Sequence, residues 1–389
     1  MSSNVRRIGI DARFYGSIGK GLGRYTQEVV DNIVKMDETN EYVIFLRKEN
    51  FDEFKLDDGR RVRKVLAEVR WYSLAEQFII PWLIWKEKID LMHFPHFNVP
   101  VLCPAKFVVT IHDLILINFP TNRATTLGPV LYWIKNKGYR LVIWLALLRS
   151  RKIISVSHFT KKDILEHFDI KQEKIAVTYE GVADFAKASA TSQENEAALL
   201  ARFSIAKPYL LYVGNAYPHK NLEGLLAAFA DLIKLRRDLR LVLVGKSDYF
   251  YEKIKERAME LALYGKGVND PVIFAGFVND RELESLFNNA EAYVFSSFYE
   301  GFGLPPLEAM AKGLPVVSSN AASMPEILGD AAAYFDPSDL SKMKQAIAEV
   351  LDSEILRKEL CNKGFERVKQ YSWQECARLT LEIYRKAFS

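Results

Sequence analysis

Residues 299–328 read Tyr-Glu-Gly-Phe-Gly-Leu-Pro-Pro-Leu-Glu-Ala-Met-Ala-Lys-Gly-Leu-Pro-Val-Val-Ser-Ser-Asn-Ala-Ala-Ser-Met-Pro-Glu-Ile-Leu. Two carboxylates, Glu300 and Glu308, are separated by seven residues that include a Gly-Phe-Gly turn and a Pro-Pro pair. Proline suits the first turn of a helix, where its missing N–H would have had no partner. A helix opening near Pro305 aims its free N–H groups and positive dipole end back at Gly301-Phe302-Gly303. Such a loop and helix start together form an anion site, most often one for phosphate. Glu300 precedes the loop and Glu308 lies about one turn into the helix, so both flank that site as acceptors for hydroxyls. The ligand implied carries a diphosphate with sugar hydroxyls on both sides, as a nucleotide sugar does.

The surroundings supply the context this pattern requires. Ala292–Phe295 is an apolar run that reads as a buried strand, 313–319 reads as turn plus strand, and Pro325-Glu326 opens the next helix. The whole segment resembles the C-terminal signature of the family 4 retaining glycosyltransferases, and the similarity runs essentially end to end. The resemblance implies the GT-B fold: an α/β architecture of two Rossmann-like domains facing across a deep cleft.

At 389 residues the chain is too long for one ordinary core and suits two domains. Its 49% hydrophobic and 26% charged residues are those of a globular protein. A net charge of +4 suits anionic substrates or an anionic membrane surface, and is too small to argue for nucleic acid. Cys103, Cys361 and Cys376 are far apart and the six histidines are scattered, so neither a disulfide framework nor a metal site is expected. The N-terminus lacks the apolar run of a secretory signal, and a cytoplasmic location is expected. The most membrane-like stretch, 130–148, is interrupted by Lys135, Lys137 and Arg140 and does not qualify as a span. It reads either as a buried helix pair or as a surface touching lipid headgroups, the latter placing the protein peripherally on the cytoplasmic face of a membrane.

Upstream of the signature, strands are expected at 7–14, 42–46, 63–66, 91–94, 107–112, 153–157 and 175–179, and helices at 24–36, 71–85 and 160–168. From 184 to 207 the composition turns to Ala, Ser, Gln, Asn and Glu, which reads as a connector with a short helix at 194–202. A second alternating set follows, with strands at 209–213, 239–244, 272–277 and 332–335, helices at 221–236, 251–263 and 281–289, and three closing helices. Alternation of this kind means parallel sheets covered on both faces. The expected division is an N-terminal Rossmann-like acceptor domain over 1–185, a linker over 186–207 and a C-terminal Rossmann-like nucleotide-sugar domain over 208–371. By resemblance, the final helix over 372–389 packs back on the N-terminal domain.

In 212–222, Tyr-Val-Gly-Asn-Ala-Tyr-Pro-His-Lys-Asn-Leu, Gly214 ends a strand at the carboxyl edge, where open α/β sheets bind ligands. Lys220 then sits just ahead of a helix as a point charge for a phosphate. The resemblance assigns Lys220 to the donor diphosphate and departing nucleotide, Glu300 to donor-sugar hydroxyls and Glu308 to the ribose diol. Many relatives carry Arg directly after the Val-Gly where this chain has Asn215, so another cation is wanted, with Arg24 and a protonated His219 as candidates. The loop 16–24, Gly-Ser-Ile-Gly-Lys-Gly-Leu-Gly-Arg, follows a strand and opens a helix, letting backbone approach a phosphate or sugar closely. By resemblance Gly21, Gly23 and Arg24 contact the donor phosphates. Gly245 and Lys246, after strand 239–244, complete the expected donor set with Val278, Gly301, Phe302, Gly303 and Leu304. His112 ends another strand, and the resemblance puts it near the reacting sugar. Asp113 is expected to hold its ring, and Tyr179 and Glu180 to line the acceptor side. Ser155 and Ser157 read as caps of the following helix.

The resemblance implies sugar transfer with retained anomeric configuration and without a metal or other cofactor. Negative charge develops on the leaving diphosphate, so fixed positive charge and N–H dipoles around it are the largest expected contribution. Catalytic weight falls on Lys220, Glu300 and His112. No carboxylate is placed as a nucleophile, which favours departure and attack on one face of the sugar. The wording Val-Gly-Asn…Pro-His-Lys-Asn and Ile-His-Asp-Leu looks closest to mannosyltransferases of polysaccharide assembly. That implies GDP-mannose as donor and a glycan or lipid-linked saccharide as acceptor. A UDP- or dTDP-sugar donor, a sugar-nucleotide epimerase and a non-catalytic binding subunit are the alternatives.

Overall fold

A computed structural model describes residues 5–16, 20–55, 61–119, 129–182, 193–267 and 269–388. The chain forms two compact units, Met1–Gly181 with Ser372–Ser389, and Val182–Tyr371.

The first unit runs β1 (Arg7–Asp11), α1 (Lys20–Met36), β2 (Glu41–Leu46), β3 (Val62–Leu66), α2 (Glu76–Lys86), β4 (Leu91–Phe94), β5 (Lys106–Ile111), α3 (Ile115–Asn118), α4 (Pro129–Arg149), β6 (Lys152–Ser155), α5 (His158–His167) and β7 (Ile175–Val177). Its seven strands are all parallel, in the order β3-β2-β1-β4-β5-β6-β7. β4 and β5 are near-continuous apolar runs because helices cover both sheet faces, leaving no wet side for alternation.

The second unit runs α6 (Gln193–Arg202), β8 (Tyr209–Val213), α7 (Leu222–Leu232), β9 (Arg240–Val244), α8 (Tyr249–Glu260), β10 (Val272–Gly276), α9 (Asp280–Asn289), β11 (Ala292–Phe295), α10 (Leu304–Ala311), β12 (Val316–Ser319), α11 (Met324–Leu328), β13 (Ala332–Phe335), α12 (Leu340–Asp352) and α13 (Glu354–Val368). Its six parallel strands lie in the order β10-β9-β8-β11-β12-β13. The order reverses at β8 and β11, which makes the carboxyl ends of those two strands the natural ligand position of the sheet. The chain then re-enters the first unit as α14 (Trp373–Phe388), which packs on α1 and against β4, β5 and β6. There the Tyr384 hydroxyl meets His93 Nδ1 at 2.7 Å, deep in the core.

Several expectations need correction. The helix expected over 71–85 begins only at Glu76, because Tyr72 holds φ at 60° and Ser73 turns its hydroxyl to the Glu76 N–H (3.3 Å). The strand expected over 7–14 stops at Asp11, and the Asn50 amide gathers the carbonyls of Ala12, Arg13 and Tyr15 into a turn. The strand over 175–179 ends at Val177, leaving Tyr179 and Glu180 outside it. The stretch 130–148 is one helix, α4, not a buried pair. From residue 137 on, Ile143, Ala146 and Leu147 are buried while Leu141, Trp144 and Leu148 are exposed; the side chains of 129–136, Trp133 included, lie outside the described residues. Of the expected connector, 186–192 also lies outside the described residues. From Gln193 it is α6, held to α9 by Glu196, which accepts from Asn289 Nδ2 (3.0 Å), and by the Arg202–Glu282 pair.

Candidate active site

The second unit assembles the signature residues around the ends of β8 and β11. Leu304, Pro305 and Pro306 open α10, and Gly303 stands at its N-cap with φ +94°. A Cβ there would lie 2.5 Å from Met324 Cε, so glycine answers both to the left-handed backbone and to the packing. The Ser323 hydroxyl donates to the carbonyl of Glu300 (2.9 Å) and braces the loop from behind. Glu300 and Glu308 are both buried. The Tyr293 pKa is pushed well above its usual value, by burial first and more weakly by the charges of Glu308 and Glu300.

Lys220 ends a single helical turn, Pro218–Lys220, and its Nζ pairs with Glu300 Oε1. The loop that carries it is tied down: Ser296 donates to the Lys220 carbonyl (2.8 Å) and the Phe298 N–H to the His219 carbonyl (2.8 Å). Three buried tyrosines brace the turn after β8. Tyr212 donates to Asn215 O (2.7 Å), Tyr251 to Gly214 O (2.8 Å) and Tyr293 to Val213 O (3.2 Å). Gly214, Asn215, Lys220 and Glu300 are thus brought to one sheet edge. Gly245 joins them, since its neighbour β9 ends where the Gly214 N–H donates to Val244 O (3.0 Å). Lys246 is exposed just beyond, and Val278 is buried between β10 and α9.

His219 does not supply the extra cation. It is buried, and its pKa is pushed down to about 4 by desolvation and then by the Lys220 charge, so it is neutral near pH 7. The other candidate, Arg24, lies on α1 in the first unit, where its charge acts on Glu28 one turn along.

In the first unit the glycine loop is described only at its ends, and Ser17, Ile18 and Gly19 lie outside the described residues. Gly23 is buried within α1. A Cβ on it would fall 2.1 Å from the Gly16 carbonyl oxygen and 2.6 Å from that of Phe14, so this glycine lets those two carbonyls lie against the helix; Gly21 has nothing within 4 Å. His112 follows β5 with its ring edge-on to Tyr25 (4.5 Å). Its Nε2 donates to Pro95 O (2.9 Å) and its Nδ1 lies 3.0 Å from Glu180 Oε1. Glu180, rather than Asp113, therefore orients the ring, while Asp113 accepts from the Ile115 N–H (3.0 Å). Burial alone would lower the His112 pKa, but the hydrogen bond and charge of Glu180, with Pro95 O and Asp113, outweigh it and raise the value. Both ring nitrogens face acceptors, which favours the imidazolium. Tyr179 meets His158 edge-on at 6.1 Å, and Ser157 caps α5 by accepting from the Thr160 N–H (3.0 Å). Among the described residues no group of His, Cys, Asp or Glu is arranged to hold a metal ion.

Comparison with known proteins identifies the family. Residues 19–184 match the model of Glycosyltransferase Family 4, and residues 202–367 match that of Glycosyl transferases group 1. The chain is a family 4 glycosyltransferase. The glycosyltransferase is 29% identical over 381 residues to O-antigen chain mannosyltransferase B of Escherichia coli, covering 94% of this chain and 96% of that protein. It is 27% identical to O-antigen chain mannosyltransferase RfbU of Salmonella typhimurium, over 73% of this chain and 71% of the relative. Sucrose-phosphate synthase from Thermosynechococcus elongatus shares the fold, with a TM-score of 0.76 over 98% of this chain at 19% identity. Two parallel-sheet Rossmann-like domains of the GT-B class are therefore the architecture of this enzyme.

Two features of the glycosyltransferase escaped the sequence reading. One is the tyrosine brace under the β8 turn. The other is an ion cluster in the first unit, where Arg13 Nε donates to Asp11 Oδ1 (2.7 Å) and Nη2 to Glu76 Oε1 (2.6 Å). Asn98 Nδ2 adds a third bond to Glu76 Oε1 (2.6 Å). The only sequence signal is a charge, Asp11-Ala-Arg13, directly after an apolar strand.

Proposed function

We propose that this glycosyltransferase moves mannose from GDP-mannose to a glycan or lipid-linked saccharide, with retention and without a metal. The reading rests chiefly on Lys220 pairing with Glu300 beside α10, the helix that carries buried Glu308. The mannosyltransferase names of the relatives support the sugar. In this reading the diphosphate lies at the α10 N-terminus and exchanges for Glu300 at Lys220, freeing the Glu300 carboxylate for the sugar hydroxyls. Glu308 takes the ribose diol. The bond from the anomeric carbon to the phosphate oxygen breaks, the acceptor oxygen attacks on the same face, and the acceptor proton passes to the departing phosphate oxygen. Fixed charge at Lys220 and the helix N–H groups stabilise the departing GDP. His112, with both nitrogens held, contributes a fixed positive group rather than a proton carrier. A lipid-linked acceptor entails peripheral contact with the cytoplasmic face of a membrane.

The test is nucleotide release from GDP-mannose, UDP-glucose, UDP-N-acetylglucosamine and dTDP-rhamnose, each with and without a lipid-linked or simple glycoside acceptor. Acceptor-stimulated release from GDP-mannose is expected. Stimulated release from another donor overturns the sugar assignment, and tight GDP binding without release from any donor indicates a binding subunit.

A further inference from the structure

We propose that the outward face of α2 docks on an anionic lipid bilayer. The inference names the surface for the membrane contact that the functional reading entails, and its readout does not depend on turnover. α2 is apolar on two sides. Ile80, Leu83 and Ile84 face the core. On the other side Phe78 is 70% exposed, Trp82 53% and Trp85 70%, with Leu74 at 83% just before the helix. Positions 74, 78, 82 and 85 fall three or four apart and so share one face of the helix. Monomeric soluble proteins rarely leave so large a contiguous apolar stripe in water. Tryptophan is the side chain enriched where a membrane meets water, its ring seated at headgroup level.

The charges choose the occupant. Both acids of this segment are turned inward: Glu76 is buried on Arg13, and Glu87 is buried against Arg63 (3.1 Å). What remains on the outer side is basic. Lys86 Nζ stands 4.9 Å over the Trp82 ring, and Lys88 follows, also exposed. The next exposed acid along the chain, Asp90, accepts from the Arg7 backbone N–H (2.8 Å). The apolar surface continues onto Leu102, 68% exposed, whose loop is held to α2 by the Val101 N–H on Gln77 Oε1 (2.8 Å). The same loop is held to α4 by Arg149 on Cys103 O (3.1 Å), beside exposed Leu148 and Trp144. Aromatic side chains rimmed by lysine without acid fit anionic headgroups, each cation near such a surface adding about 1 kcal/mol. Among the described residues no helix is long and apolar enough to cross a membrane, so the contact is interfacial.

The experiment is co-sedimentation of the full chain with vesicles of phosphatidylcholine alone or with about a third phosphatidylglycerol. The wild-type protein is expected to pellet with the anionic vesicles, and less so as salt rises. The triple variant Phe78→Ser, Trp82→Ser, Trp85→Ser should lose about tenfold or more in vesicle affinity. It should keep wild-type turnover on a water-soluble acceptor. Lys86→Glu with Lys88→Glu should lose binding to the anionic vesicles only, and keeps the idea testable if the triple variant folds poorly. No pelleting of the wild type, or equal pelleting of both variants, overturns the proposal. A wild-type dimer that the triple variant dissociates gives this face to a second copy instead.

Discussion

Arg13 in the first unit and Lys220 in the second both hold a glutamate, yet the two settings differ in what can reach them. Arg13 and Glu76 are wholly buried, and Arg13 also holds Asp11 while Asn98 takes up Glu76 again. Lys220 and Glu300 keep side-chain exposures of 14% and 11%, beside the Gly-Phe-Gly loop and the start of α10. The first set is closed and ties α2 to the end of β1. On the proposed function the second is an exchangeable pair, in which an anion takes the lysine while a hydroxyl takes the carboxylate. Burial of charge alone therefore does not mark an active site.

The sharpest way to break this comparison is Arg13→Met. It strands Asp11 and Glu76 as uncompensated buried charges, so stability should fall by about 3–5 kcal/mol in denaturant titration. The kcat of the protein that remains folded should hardly change. A large kinetic loss at unchanged stability would mean the cluster is not closed. Next, Lys220→Ala should lower kcat by about ten- to a hundredfold. Its stability should move much less than that of the Arg13 variant, because its glutamate can reach solvent. Turnover equal to wild type would remove Lys220 from the leaving-group site. Glu308→Ala should raise the donor KM by roughly tenfold with a smaller change in kcat, the pattern of lost binding common to ground and transition states.

The smallest effect expected is in pH dependence, where His112 and His219 oppose each other. The folded-state pKa of His112 is raised, so its contribution to stability is full below the unfolded value and is lost as pH rises through the folded one. Glu180→Gln should therefore cost most Tm in mild acid, with the gap to wild type closing as pH rises. His219 is lowered to about 4, so the unfolded chain binds its proton first and stability falls as pH drops from about 6.5 to about 4. His219→Gln should flatten that fall. A Tm gap for Glu180→Gln that is the same at every pH would show that the glutamate acts through packing alone.

Much of this was legible in the chain because it is local. Strand, Gly-Phe-Gly loop and Pro-opened helix lie within the twenty residues 292–311, and the alternation of apolar runs with amphipathic stretches fixes a parallel α/β class. What was not legible depends on pairs remote in sequence. His112 meets Glu180, 68 positions away, and Asp113 was the sequence-adjacent candidate. Arg13 finds Glu76 at a separation of 63, and nothing in the local pattern of either predicts the other. The start of α2 turned on one residue, Tyr72, adopting positive φ, which aromatic side chains seldom do. The neutrality of His219 follows from its burial, a property of the folded environment rather than of the Pro-His-Lys wording.

The return of α14 to the first unit also sets an order of events during synthesis. The sheet of that unit is complete in sequence by Val177, yet the helix that covers β4, β5 and β6 and brings Tyr384 to His93 is translated only after every residue of Val182–Tyr371. On the ribosome the second unit can close as a continuous segment while the first waits with an apolar face uncovered. A stop codon directly after Tyr371 would spare the later-made unit and leave the earlier-made one unfinished.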